Sequence, residues 1–153
     1  MATSRSRPRP DILIRDPEGD TIAVIEVKNL PNLSRDVATE LRHNLIEYGV
    51  PAQVPYFLLL SQDVGFLWKE AKQADLDAPP TYVFPMDKVV KRYLREDLDR
   101  RLYESTLELL IFQWFNDLAV KPGNEDEEPE KTLALSGFSK SIKDATILTE
   151  ASL

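Results

Sequence analysis

The chain has 153 residues, 42% of them hydrophobic, and a net charge of -7. That is enough apolar material for one sizeable core, and the usual size of a domain argues for one unit rather than two. Cysteine is absent, which excludes disulfides, thiolate metal sites and thiol redox chemistry. The longest apolar runs, "FLLL" and "LELLIF", are too short to span a bilayer, and the first residues lack the apolar stretch of a secretory signal. The expected setting is the cytoplasm, with no membrane partner.

The charge is unevenly spread. "SRSRPRP" carries Arg5, Arg7 and Arg9 with no acid, and Pro8 and Pro10 keep it extended. Residues 1–10 are therefore expected to be a flexible basic arm, suited to following a phosphate backbone. At 124–131 "NEDEEPEK" has the composition of a solvated linker, taken to run over 121–132.

Between these, the pattern predicts a hairpin first: β-branched and apolar residues over 11–16 and 21–28, joined by "PEGD", whose Pro and Gly suit a turn. Ser34 is placed to cap a helix that runs through Tyr48 and stops at Gly49, with Val37, Leu41, Leu45 and Tyr48 as its buried stripe. Strands are expected at 56–60 and 65–69, around a turn at 62–65. A highly charged helix over 87–101 and an apolar one over 103–119, with Leu107, Leu110, Ile111, Trp114 and Leu118 inward, follow. The segment 133–153 is expected to dock on the domain of residues 11–120, with "ATILTE" as a late strand on a sheet edge. The order β, β, α, β, β belongs to an α/β fold with a mixed sheet, a crossover helix and additional C-terminal helices.

The hairpin carries three charges among its isoleucines and valines. If "PEGD" is the connection, cross-strand partners have numbers that sum to about 37, which sets Asp11 opposite Glu26. Alternation places Lys28 on the same face as Glu26. Facing carboxylates destabilise a sheet unless something neutralises them, so the pair calls for a cation. Mg²⁺ (or Mn²⁺) fits, because it takes oxygen ligands from one or two carboxylates and keeps waters for a phosphate substrate. A lysine beside it can orient a nucleophile and stabilise charge developing on a phosphodiester. The bland alternative is a structural charge cluster at an exposed hairpin end.

At Pro10-Asp11 and Glu26-Val27-Lys28 the chain resembles the PD-(D/E)XK nuclease superfamily, the restriction-endonuclease-like fold. The resemblance covers roughly residues 10–70. It implies metal ligation by Asp11 and Glu26, water activation assisted by Lys28, nuclease activity on nucleic acid with DNA ahead of RNA, and a homodimer where both strands are cut. That family's core normally begins with a helix, often bearing an acid, and the ten residues ahead of Asp11 are too few to build one. Either another element takes its place or catalysis is weakened. Glu104 and Glu108, four apart on the long helix, read first as surface acids, with Glu104 the one considered for the site.

His43 is the only histidine, which excludes a multi-histidine metal site, and it reads as a surface residue. Asn44 reads equally as a phosphate contact or a sheet-end cap, and Trp68 and Trp114 as core. Three functions follow: a metal-dependent nuclease, a non-catalytic nucleic-acid or protein-binding module on the same fold, and an unrelated α/β scaffold pairing through the Leu107–Leu118 face.

Overall fold

The computed structural model describes residues 9–51, 53–69, 75–95 and 99–150. Arg5, Arg7 and Pro8 of the basic arm lie outside them. The expected hairpin is present as β1 (Ile12–Arg15) and β2 (Thr21–Val27). Asp16 organises the turn: its Oδ1 accepts from the Glu18 and Asp20 amides, and Gly19 supplies the φ of +90° that the reversal requires. Helix α1 (Arg35–Glu47) crosses to β3 (Tyr56–Leu60), which turns into β4 (Val64–Lys69). Ser34 caps α1 by accepting from the Val37 amide.

These strands, with β5 (Tyr82–Pro85) and β6 (Thr146–Thr149), form one six-stranded mixed sheet in the order β5-β4-β3-β2-β1-β6. Only β2 and β3 pair in parallel, which is what a crossover helix between them permits. Strand β6 covers the free edge of β1, as "ATILTE" suggested. Strand β5 was not foreseen. It is four residues long and ends in proline, which suits an edge position and leaves little period to read. Gly65 of β4 is needed where it stands, since a Cβ there would lie 2.3 Å from the Phe84 ring of β5.

The sheet has a core on each face. Ile12, Ile14, Ile25 and Val27 pack against α3 (Glu104–Val120) together with Phe138 and Ile142. Leu107, Leu110, Ile111, Trp114 and Leu118 are all buried there, so the face considered for pairing two chains is occupied by the chain's own sheet. On the other face Val24, Phe57, Leu59 and Trp68 lie under α1.

The stripe of α1 differs from expectation. Val37 and Tyr48 are exposed, and Ala38 and Arg42 are the buried residues, with Leu41, Leu45 and Ile46 half-buried beside them. The Arg42 guanidinium lies over Phe57 (5.5 Å) and Trp68 (5.3 Å), and NH1 donates to the Asp75 carbonyl. Aromatic faces thus replace the aliphatic contacts that periodicity suggested. Trp68 and Trp114 are core residues.

The charged helix expected over 87–101 is α2 (Asp87–Leu94), closed at Arg95 with φ +57°. A non-glycine residue in the left-handed region gives no sequence signal of a stop. The acidic stretch is only partly solvated: Glu130 begins α4 (Glu130–Leu135), is 1% exposed, and accepts from Arg92 and from the Trp114 indole. A short α5 (Phe138–Ser141) follows and anchors Phe138 in the core. Among the described residues no helix is long and apolar enough to cross a membrane.

Candidate functional site

The β1–β2 register pairs Ile12 with Ile25, Leu13 with Val24 and Ile14 with Ala23, each summing to 37, before an irregularity pairs Arg15 with Thr21. Continued one residue outward, the same register sets Asp11 against Glu26. Asp11 Oδ2 accepts the Val27 amide at 2.7 Å, next in sequence to Glu26, and the Asp11 carboxylate is close enough to raise the Glu26 pKa. Alternation directs Glu26, like Val24, to the α1 side of the sheet, while Asp11 and Lys28 stand just before β1 and just after β2 at the same sheet end. Lys28 is half-buried, and its backbone is fixed by donation to the Leu60 carbonyl at 2.9 Å. The three predicted residues therefore share one end of the sheet.

Glu26 is 3% exposed, and its Oε1 has no hydrogen-bond partner. Burial, then the charge of Asp11 and the hydrogen bond shared with it, push the carboxyl up to about 9, with Lys28 pulling the other way. Without a further cation Glu26 is protonated at neutral pH. A buried carboxyl held neutral beside a second carboxylate, with one oxygen unused, is a costly arrangement for a structural residue.

Two residues read from the sequence as surface acids belong to this neighbourhood. Glu104, in the first turn of α3, accepts the Asn29 amide through Oε1 at 3.1 Å. Glu108, one turn on, is half-buried, and burial followed by the charges of Asp11, Glu104 and Glu150 raises it to about 7, against a pull from Lys28. Asp11, Ser105, Glu108 and Glu150 line a cleft of about 540 Å³ whose apolar walls are Ile12 and Leu109 and to which Arg9 also contributes. The helix that brings acids to the site is thus α3, which follows β1–β5 in sequence instead of preceding β1. The four-residue spacing of Glu104 and Glu108 was visible; their docking on the end of β2, through long-range contacts, was not.

The donor set consists of carboxylate oxygens, one of them buried and unpartnered, which fits a hard divalent cation and no soft one. Among the described residues no group of three or more acids or histidines is arranged to hold a metal. Two carboxylates suffice for Mg²⁺, which ordinarily completes its shell with water and substrate oxygens.

His43 lies away from this cluster, hydrogen-bonded to Asp77 and Glu47, both of which raise its pKa. Asn44 is exposed on α1. Comparison with protein-family models, with curated proteins and with solved structures finds no match.

Proposed function

We propose that this chain is a metal-dependent phosphodiesterase of the PD-(D/E)XK type, with a restriction-endonuclease-like fold, acting on nucleic acid with DNA ahead of RNA. The observation that carries the reading is the buried, unpartnered Glu26 carboxyl held against Asp11 with Lys28 on the same sheet end. The β, β, α, β order, with β2 and β3 parallel and the charges at their ends, supports it.

In this reading Asp11 and Glu26 would hold Mg²⁺ or Mn²⁺, which would supply Lewis acidity toward a phosphodiester and its attacking water. With such a cation beside it Glu26 would be ionised, because a positive charge would offset the cost that burial imposes on the carboxylate. The Val27 amide fixes one Asp11 oxygen, and Asp11 lines the cleft. Lys28 orients the attacking water and donates to the phosphate oxygen on which charge develops.

Cleavage of linear and supercoiled DNA and of RNA, with Mg²⁺ or Mn²⁺ and with chelator, tests the reading. Metal-dependent cleavage that disappears in Lys28→Ala supports it, and cleavage that survives unchanged in that variant sinks it. The second reading, a non-catalytic module on the same fold, is favoured by the lack of a three-acid group close enough to grip a metal among the described residues. Metal-independent nucleic-acid binding with no cleavage would select it.

A further inference from the structure

We propose that Asn29 and Gln62 are positioning residues that clasp the start of α3 to the ends of β2 and β3, and so set the α3 acids against Asp11, Glu26 and Lys28. This rests on the reading of those three residues as a metal-dependent site.

The two residues occupy equivalent places. Val27 pairs with Leu60 at the last rung of the parallel β2–β3 ladder, and Asn29 and Gln62 each stand two residues beyond it. Both are buried. Asn29 Nδ2 donates to Gln62 Oε1 at 2.9 Å, and the Gln62 amide donates to Asn29 Oδ1 at 2.9 Å, so the pair continues the ladder in side-chain form. Each then takes hold of the segment leading into α3. Asn29 Nδ2 also donates to the Leu102 carbonyl at 2.7 Å, the Leu102 amide donates to Gln62 Oε1 at 2.7 Å, and Gln62 Nε2 donates to the Arg100 carbonyl at 3.0 Å. Arg101 locks the arrangement from the rim, donating to Asn29 Oδ1 at 3.1 Å and pairing with Asp63 at 2.6 Å.

The backbone on either side of the clasp carries the chemistry. Lys28 immediately precedes Asn29, and the Asn29 amide is the donor to Glu104. Glu108 lies one turn beyond Glu104. A connecting segment pinned by two buried amide side chains holds α3 more tightly than its own sequence would, because bare loop backbone has to be given partners to be ordered. An error of about 1 Å in that docking is enough to cost a well-placed site much of its rate.

The test uses the full chain and Mn²⁺ alone as a paramagnetic probe. In the native protein the amide signals of Lys28 and those of Ser105 and Leu109 broaden together as Mn²⁺ is added. In folded Gln62→Ala the Lys28 broadening persists while that of Ser105 and Leu109 falls severalfold, and any cleavage loses kcat with little change in KM. Loss at both places, or at neither, would overturn the clasp. Absence of broadening at Lys28 in the native protein would instead overturn the metal reading. The clasp is then judged without metal, by amide hydrogen exchange: Asn29 and Leu102 exchange faster in Gln62→Ala while Ile25 and Leu58 are unchanged, and unchanged exchange at Asn29 refutes it. Arg101→Ala, altered only at the rim, gives the same pattern at smaller amplitude and serves if Gln62→Ala does not fold.

Discussion

Two glutamates are buried almost equally deeply in this molecule and are treated in opposite ways. Glu130, 1% exposed, has its charge met on both sides: Arg92 NH1 donates to Oε2 at 2.7 Å and the Trp114 indole to the same oxygen at 3.1 Å. Glu26, 3% exposed, faces another carboxylate, and its Oε1 has no partner. The first is a pin that ties α4 to α2 and α3. The second carries a cost that the fold does not relieve, and that is the observation behind the proposed cation site.

The two glutamates and the lysine beside Glu26 are expected to differ most in their effect on activity. Lys28→Ala is expected to reduce metal-dependent cleavage by about 10²–10³-fold with the fold intact, since it removes one preorganised donor to developing charge; circular dichroism and a cleavage assay read both halves. Glu130→Ala should leave any cleavage in place and cost about 2–3 kcal/mol of stability, measured by urea denaturation, because Arg92 and the buried indole lose their acceptor.

The pH dependence sharpens the contrast. Glu26 has a folded value near 9 against an ordinary 4.5, so the folded state holds a proton that the unfolded state releases. Its contribution is fully present below about 4.5 and is lost as pH rises toward 9. Without metal, Glu26→Gln should therefore stabilise the protein increasingly across that window, by a few kcal/mol at its upper end. Denaturation of wild type and variant at several pH values checks it, and saturating Mg²⁺ should flatten the wild-type slope. The smallest effect belongs to Arg42, a buried cation answered by two aromatic faces and a carbonyl. Its burial lowers its pKa, and Arg42→Met should change stability by only about 1 kcal/mol in either direction by the same denaturation assay.

The hairpin was legible because strand alternation and turn length are local. The register that sums to 37, read from "PEGD", is met over Ile12–Ile14, although an irregularity beside the Arg15–Thr21 pair, which the turn did not foretell, intervenes before the turn. The α3 core face, the Ser34 cap and the edge strand near the end of the chain were legible for the same reason. What escaped is non-local. Nothing in "ESTLELL" says that Glu104 and Glu108 come to rest beside strands some 75 residues earlier, and the Asn29–Gln62 bridge joins two loops across the parallel ladder. Arg42 escaped because a cation is normally assigned to the solvent side, and its aromatic partners come from two other elements.

Metal-dependent chemistry in this chain requires that Asp11 and Glu26 form a cation site. Diffraction from crystals soaked in Mn²⁺, collected at a wavelength where manganese scatters anomalously, reads this directly. The expected result is one anomalous peak within bonding distance of both carboxylates, with the Lys28 ammonium facing it. A map with no peak there, and Glu26 still paired only with Asp11, would contradict it.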